Sequence, residues 1–455
     1  MQLAILTAVL AALAAAESGG GPVVGIAWRL LVVASATLIA PLAALVGTQR
    51  LAASVAADNE SEDAVSRLQS IVVCLWLGAV ALILLVAQWP QIVRSNWQLA
   101  DWPLVDELAI LLPVIAPLIL VWAALYRLER ASQIAACAAR NIVLPAPRLI
   151  AYIWLQVRHQ LAMVLLPPLV IVGLFETITS LRVPAANIDT AWWFVLPLVG
   201  MMLVLMPVAV RRIWHTSPLS ASPLRERLDG VCRGRQCHVR DILIWHPDGT
   251  MANAAVLGMS RWLRYMLLTD VLVTQLTDDE IAAVVRHELA HLRRWHLPLR
   301  LAVLLLPVAW WLAIKHAWPA ADTTIETMLA ALGIRPQLVA AFGIPLGLLA
   351  YAVVVVGWYS RLLEHDADLD ACLNDNGELD PVTAADFCCA LTTLCGRNHE
   401  SRFSQWLHPP VFQRVALVRR VLVNPRLAIA FRRRLGRSAA AIAMLFVAAG
   451  VLAAR

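Results

Sequence analysis

The sequence predicts a mostly helical membrane protein with many spans and a small α+β segment at the membrane surface. Of the 455 residues, 60% are hydrophobic and only 15% are charged. A soluble domain has about 45–50% apolar and about 25% charged residues. Apolar runs of about 20 residues, the length that crosses a bilayer, recur along the chain, and two long polar segments interrupt them. This composition excludes a soluble globular enzyme and a disordered chain.

The basic balance of the chain is assigned to loops on one face of the membrane. The net charge is +6, but the sequence has no patch of Lys and Arg interleaved with aromatic residues, as nucleic-acid binders have. We therefore expect the lipid bilayer, and no nucleic acid, as a partner. The eight cysteines are scattered and do not form the dense framework of a disulfide scaffold, so we expect reduced thiols.

Nine windows are apolar enough to be membrane spans, counting a short first window at residues 1–16. A spanning helix needs about 20 apolar residues because the hydrocarbon core is about 30 Å thick. Pro167 and Pro168 indicate that one span is kinked or re-entrant. The other eight windows are Val23–Val46, Ile71–Trp89, Leu108–Tyr126, Leu161–Phe175, Trp192–Val210, Leu299–Trp318, Leu338–Tyr359 and Ala439–Ala454.

The order of apolar and polar segments predicts five regions. An N-terminal membrane region of about six helices covers residues 1–210, and two further transmembrane helices cover residues 299–359. Polar segments cover residues 211–298 and 360–438, and a last transmembrane helix covers residues 439–455.

The distribution of arginine predicts the orientation. The loop at residues 127–160 holds five arginines, whereas the loop at residues 176–191 holds one. Short cytoplasmic loops are enriched in positive charge, so the first loop is expected in the cytoplasm. Alternation of the spans then places both polar segments on the same side. We expect a multi-pass protein of the bacterial inner (cytoplasmic) membrane with both polar segments in the cytoplasm.

The first polar segment changes from a β-rich pattern to a helix. A turn is indicated at residues 247–249, where the sequence reads Pro-Asp-Gly. Thr277, followed by three acidic residues, is typical of a helix N-cap and first turn. The three short β-rich runs are Asp241–Trp245, Asn253–Gly258 and Tyr265–Val273.

The helix after Thr277 contains the sequence HELAH, from His287 to His291. Residues four apart lie on one face of a helix, about 6 Å apart along its axis. Both imidazoles can therefore bind one Zn²⁺ with Glu288 as general base. Zinc lowers the pKa of a bound water towards about 7 and polarises the scissile carbonyl. An exposed polar helix face is the alternative interpretation of the motif.

Glu364, just after an apolar span, is the candidate for the third protein ligand of such a site. If the span continues as a helix, Asp368 lies one turn further on the same face. From there it would hydrogen-bond a ligand histidine and fix its tautomer. The alternative is that Glu364 is a juxtamembrane acid beside Arg361. His296 and His365 flank the site, and we expect them to be solvated because three ligands are already in place.

Four motifs in this order resemble a known family, the membrane-embedded zinc metallopeptidases that include the CAAX prenyl protease type 1 and the bacterial heat-shock protease HtpX. The resemblance covers residues 241–421. It implies a zincin-like α+β domain in which His287, His291 and Glu364 bind one Zn²⁺ and Glu288 is the catalytic base. The motifs are NAAVLG (253–258), LTDDEIAAVVRHELAH (276–291), SRLLEHDAD (360–368) and HPPVFQRVALV (408–418).

The resemblance also implies roles outside the metal ligands. Asn253 and Ala254 match the start of an edge strand that pairs with extended substrate. His408 and Arg414 match positions near the active site, where His408 would stabilise an oxyanion. In the alternative interpretation, the prolines after His408 only begin a helix and Arg414 lies on its solvated face. The spans before residue 211 match no part of the family pattern, and about six of them are more than the heat-shock type has.

Two hypotheses follow for the function. The first is an integral-membrane zinc endopeptidase, a hydrolase of EC 3.4.24 type, with one Zn²⁺ per chain. Its substrate would be a protein or peptide at the membrane, in membrane-protein quality control or processing. The second is a membrane sensor or scaffold in which the zinc is structural. The sequence leaves the oligomeric state open.

Overall fold

The fold is helical, with one small sheet. The computed structural model describes residues 2–17, 21–55, 61–102, 104–138, 148–180, 188–246, 252–258, 260–336, 339, 343–374, 377–395 and 407–454. The chain forms two compact units. One consists of residues 1–203 and 333–349, and the other of residues 204–332 and 350–455.

The first half of the chain is entirely helical in its described part. Its helices are α1 (Gln2–Glu17), α2 (Ile26–Val55), α3 (Ser61–Ala81), α4 (Trp89–Gln91), α5 (Val105–Ala138), α6 (Leu149–Gln156), α7 (Met163–Ser180) and α8 (Ile188–Ile213). Helical turns of π or 3₁₀ type, at Leu82–Val86, Ile92–Asn96, Leu99–Asp101 and Val157–Ala162, connect several of them.

The core of this half lies between α2, α3 and α5. Trp76 is buried in it, and its indole Nε1 donates a hydrogen bond of 2.8 Å to the carbonyl oxygen of Val114. A buried tryptophan adds a large apolar area to a core while its N–H needs a partner. This bond therefore joins α3 to α5 inside the apolar bundle.

The sheet belongs to the second unit. Its strands are β1 (Thr216–Pro218), β2 (Asp241–Trp245), β3 (Ala254–Leu257) and β4 (Tyr265–Thr269), in the order β1-β2-β4-β3. The pair β2 and β4 is parallel, and the other two pairs are antiparallel. In the part of the chain that is described, β3 lies at the edge of the sheet.

Ten helices complete the described part of the chain. They are α9 (Pro223–Gly234), α10 (Asp270–Gln275), α11 (Asp278–Arg293), α12 (His296–Ala317), α13 (Ala321–Ala331), α14 (Ile344–Tyr351), α15 (Gly357–Ala371), α16 (Pro381–Cys395), α17 (Val411–Val423) and α18 (Arg426–Ala453). A π-helical turn at Ala352–Val356 joins α14 to α15, so one continuous helix runs over Ile344–Ala371.

The rotation of α11 is fixed by its apolar face. Ile281, Val285 and Leu289 recur at four-residue spacing and are buried in the core that α11 shares with α9 and the sheet. An apolar stripe with this period covers one face of a helix. The histidines of the HELAH sequence therefore lie on another face, away from the sheet.

The predicted fold class, a polytopic helical bundle with a small α+β part, is confirmed. Seven helices in the described part are long and apolar enough to cross a membrane. They are Ile26–Leu51, Ala64–Val86, Val105–Ala131, Leu149–Gly173, His296–Ala317, Ile344–Ala371 and Arg426–Ala453.

The structure changes the details of several predicted elements. The first window forms the apolar helix Ala4–Ala16, which is shorter than a spanning helix. The window Trp192–Val210 lies within α8, which is not among the seven candidate spans of the described residues. The count of nine spans therefore stays a prediction, and so do the five regions. The last helix begins at Arg426 rather than at Ala439.

The third predicted strand is shorter than expected, and the predicted turn at residues 247–249 lies outside the described residues. β4 ends at Thr269 instead of Val273. The hydroxyl of Thr269 accepts a hydrogen bond from the backbone N–H of Leu272 and caps α10. This cap explains why the apolar run turns into a helix.

The N-cap of α11 gives the first testable prediction. The hydroxyl of Thr277 accepts from the N–H of Glu280, and the carboxylate of Glu280 accepts from the N–H of Thr277 at 2.9 Å. Thr277 is exposed, so Thr277→Ala removes this cap and little else, and we expect a loss of about 1 kcal/mol of stability. Thermal unfolding of the detergent-purified protein measures it. Thr277→Ser, which keeps the hydroxyl, is the control, and equal melting of both variants would contradict the assignment.

Candidate metal centre and active site

Three side chains from two helices of the second unit converge. His287 and His291 come from α11, and Glu364 comes from α15. Each offers one donor atom, and the three donor atoms lie within 4.8 Å of one another. The Nε2 atoms of the two imidazoles are 3.3 Å apart and lie 3.5 and 3.4 Å from the two carboxylate oxygens of Glu364. Two imidazoles and one carboxylate that leave a further position open are the donor set of many catalytic zinc sites.

A long helix that is a candidate membrane span brings Glu364 to the two histidines. The continuous helix over Ile344–Ala371 carries Glu364 in its last turns, where the neighbouring residues Leu363 and Ala367 are fully buried. Burial of these neighbours fixes the rotation of the helix. The carboxylate of Glu364 is consequently buried as well, with 1% of its surface exposed.

A buried ion pair between Asp368 and Arg414 contacts His287 on the Nδ1 side of its ring. The Oδ1 atom of Asp368 lies 3.1 Å from Nδ1 of His287. Arg414 on α17 contacts both oxygens of Asp368, at 3.0 Å from Nε to Oδ2 and 2.5 Å from Nη2 to Oδ1. Asp368 is completely buried. Asp368, one turn after Glu364, thus contacts the ligand candidate His287, as expected. Arg414 contacts Asp368 and does not lie on a solvated face.

An aromatic ring packs under the same group. Phe387 of α16 stacks on the imidazole of His287, with ring centroids 5.6 Å apart and an angle of 20° between the planes. The guanidinium of Arg414 lies 5.8 Å from the centroid of the same ring. Phe387 is buried and limits the rotation of both side chains. Nothing in the local sequence pattern distinguishes it from an ordinary core residue.

His291 has a second histidine behind it. Nδ1 of His296 lies 2.9 Å from Nδ1 of His291, and Nε2 of His296 lies 3.2 Å from Oδ2 of Asp366. His296 is 1% exposed, so the expectation of a solvated side chain is wrong. Trp295, with a left-handed φ of 59°, turns the chain between α11 and α12 and brings His296 back towards His291. His365 is also partly buried, with its Nδ1 3.7 Å from Asp368.

Two more side chains contact Glu364. Arg300, in the first turns of α12, donates from Nη2 to Oε1 of Glu364 at 2.6 Å. Nδ1 of His408 lies 2.9 Å from Oε2 of Glu364, and the His408 side chain is 55% exposed. The structure therefore brings His408 to the site, as the resemblance implies. Arg300 was not predicted, although its position one turn into a span beside HELAH is an unusual place for a charge.

Ala254 begins the edge strand β3, which packs beside α11, and Asn253 directly precedes it. The backbone N–H of Asn253 donates to the hydroxyl of Thr269 at 2.9 Å, and its side-chain oxygen accepts from the N–H of Ala254 at 2.9 Å. The edge position of this strand agrees with the sequence interpretation. The N–H of Ala254 is bonded to the preceding side chain, which the sequence did not indicate.

The pKa values of His287, Glu288 and His291, which lie within about one turn of α11, are shifted in different directions. Burial lowers the pKa of His287, but its hydrogen bonds with Asp368 and Glu364 outweigh this and raise the pKa to about 9. Burial lowers the pKa of His291 well below its ordinary value. Burial also raises the pKa of Glu288, and the nearby His287 opposes that rise. His287 must lose its proton before a metal can bind.

The part of the chain that holds the site matches a family model. Residues 240–421 match the model of Peptidase family M48. The crystal structure of S. mikatae Ste24p is similar to the chain, with 14% identity and a TM-score of 0.40, over 88% of this chain and 100% of that one. No curated protein matches the chain in sequence. The resemblance stated from the motifs at residues 241–421 is confirmed.

The contact of Arg414 with Asp368 gives the second prediction. Arg414→Gln leaves a buried carboxylate without its cation and frees His287 to rotate, so we expect zinc affinity to fall about 10- to 100-fold. Competition with a chromophoric chelator measures the affinity. Arg419→Gln, an exposed change on the same helix, is the control and should bind zinc as wild type does. Equal affinity of the Arg414 and Arg419 variants would exclude a supporting role for Arg414.

Proposed function

Because residues 240–421 match Peptidase family M48, we propose that the chain is an integral-membrane zinc-dependent endopeptidase of EC 3.4.24 type, with one Zn²⁺ per chain. The observation that carries the proposal is the convergence of His287, His291 and Glu364 within 4.8 Å, with Glu288 next to the first of them. A peptidase implies a protein or peptide substrate.

The residues of the site fit a zinc ion. His287, His291 and Glu364 would hold it, and their two nitrogens and one carboxylate are ligands that zinc prefers. When bound, zinc supplies a Lewis acid that polarises the scissile carbonyl and lowers the pKa of water. Asp368 lies 3.1 Å from Nδ1 of His287, so it would keep the ring proton on Nδ1 and leave Nε2 of that ring for the metal.

Glu288 is the proposed general base. It follows the ligand His287 directly, and burial raises the pKa of its carboxylate. A raised pKa makes a carboxylate a stronger base, closer to the neutral pH at which it works. Glu288 takes a proton from the attacking water and delivers it to the nitrogen of the leaving amine. The same side chain thus serves both halves of peptide hydrolysis.

His408 is the proposed oxyanion donor. Its side chain is largely exposed while Nδ1 touches Glu364, so its ring lies at the boundary between the ligand set and solvent. A preorganised donor is most effective where negative charge develops in the transition state. The ring can hydrogen-bond the carbonyl oxygen of a peptide that approaches from solvent.

The edge of the sheet is the proposed substrate-binding element. β3 has one neighbour, β4, in the described sheet, and an extended peptide can add to such an edge by main-chain hydrogen bonds. Ala254 begins this edge, and Asn253 directly precedes it. Because Ala254 donates to the side chain of Asn253, a peptide that uses this N–H must displace the Asn253 amide.

The location of the site supports a role at the membrane surface. α12 and the helix over Ile344–Ala371 are candidate spans, and they carry His296 and Glu364 at their ends. We place the site at the cytoplasmic face of a bacterial inner membrane, with membrane-protein quality control or processing as the role. The five arginines between residues 127 and 160, against one between residues 176 and 191, support this orientation.

Cleavage of an unfolded protein tests the proposed activity. We expect zinc-loaded wild type in detergent to cleave casein, and Glu288→Gln to be slower by at least about 100-fold, since a general base contributes at least that factor. Zinc content is measured on both samples, and both should retain the metal. Equal rates would show that Glu288 is not the base. Absence of cleavage by zinc-loaded wild type, also with membrane-protein substrates, would contradict the peptidase and favour a structural zinc.

A reporter tests the orientation. A fusion made after the exposed residue Ser220, in the first polar segment, should be active for a reporter that works only in the cytoplasm. The matching fusion with a reporter that works only outside should be inactive. The reverse pattern would overturn the cytoplasmic placement and leave the proposed chemistry untouched.

A further inference from the structure

Three acidic side chains meet in the first unit, far along the chain from the HELAH helix. Asp106 and Glu107 lie in the first turn of α5, and Glu176 lies near the end of α7. Each offers one carboxylate oxygen, and the three oxygens lie within 4.8 Å of one another. Such a cluster is repulsive unless something positive or a proton holds it together.

Two of these carboxylates are buried, and one oxygen of each has no hydrogen-bond partner among the described residues. Asp106 and Glu107 are 2% and 1% exposed. The Oδ1 atom of Asp106 and the Oε2 atom of Glu107 have no hydrogen-bond partner among the described residues. Buried polar atoms are nearly always paired, and unpaired ones indicate a missing ligand or a protonated group.

Arg94 neutralises part of the charge. Its Nε lies 2.7 Å from Asp106 Oδ2 and its Nη2 lies 2.9 Å from Glu107 Oε1, while its Nη1 donates to the carbonyl oxygen of Ala16. These contacts use the other oxygen of each carboxylate. When ionised, the three carboxylates carry more negative charge than the guanidinium of Arg94 offsets, and a bound cation would reduce this excess.

The backbone holds the cluster in a fixed geometry. The N–H of Leu104, just before α5, donates to Oε2 of Glu176 at 3.0 Å. A Cβ atom built on Gly173 would lie 2.7 Å from the Leu104 side chain, so the residue that precedes α5 packs closely against the middle of α7. The two elements that supply the carboxylates are therefore packed together.

We propose that Asp106, Glu107 and Glu176 bind a divalent cation of the Ca²⁺ class, at a site separate from the zinc centre. All three donors are oxygens, which hard cations prefer, whereas the zinc centre offers nitrogen donors. Ca²⁺ binds oxygens at about 2.3–2.6 Å, so ligands on opposite sides of it lie about 5 Å apart. The spacing of the three oxygens fits this size. A cation is also the kind of partner that the unpaired oxygens of Asp106 and Glu107 lack.

Titration of Ca²⁺ into the full-length chain tests the proposal. The protein in detergent is stripped of metals, reloaded with Zn²⁺ and titrated with Ca²⁺ by calorimetry. We expect saturable binding to wild type and about tenfold or greater weakening in Glu107→Gln, since affinity follows the number of charged ligands. Glu129→Gln is the matched control, because this carboxylate lies on the same helix but hydrogen-bonds Tyr152 at 2.6 Å instead. Glu288→Gln, a change in the zinc centre, tests whether Ca²⁺ binds there instead.

Each outcome decides the proposal. Binding that is unchanged in Glu129→Gln and Glu288→Gln but weakened in Glu107→Gln supports it. Absence of saturable Ca²⁺ binding to wild type overturns it and indicates a shared proton in the cluster, and so does equal binding by Glu107→Gln. If Glu107→Gln does not fold, Glu176→Gln removes a ligand from the other helix and should weaken Ca²⁺ binding in the same way.

Discussion

The buried contact between Asp368 and Arg414 is the constraint on which the candidate site depends. Asp368 is fully buried, and a charge in that position is tolerated only with a partner. Arg414 supplies it from α17, and His287 contacts the same carboxylate from α11. Three helices that are distant in sequence are therefore held together by one carboxylate. Without this carboxylate, the contact that fixes His287 of α11 relative to α15 would be lost.

The sequence predicted the part of the site that depends on spacing along a helix. HELAH places two imidazoles one turn apart, and Glu364 and Asp368 are likewise one turn apart, so helix geometry alone predicts their relative positions. The resemblance added His408, Arg414 and the edge strand, which spacing could not supply. The fold class followed from the length and polarity of the apolar runs, since a bilayer sets both.

The remaining features depend on tertiary packing that leaves no local signal. His296 was expected in solvent because zinc needs no further ligand, but the left-handed turn at Trp295 folds it back onto His291. Phe387 and Arg300 contact the site from other helices, and neither belongs to a recognisable motif. The shortening of β4 at Thr269 depended on a side-chain cap that competes with strand continuation.

The short turn between α11 and α12 places the ligand candidates at the end of a candidate span. His291 lies five residues before the first residue of the span His296–Ala317, and the left-handed turn at Trp295 brings the Nδ1 atoms of His291 and His296 to 2.9 Å from each other. For a peptidase built in this way, a polypeptide that leaves the bilayer beside this span would meet the catalytic residues close to the lipid surface. The position of a peptide bond relative to the bilayer, and not only its flanking side chains, would then influence whether it is cut.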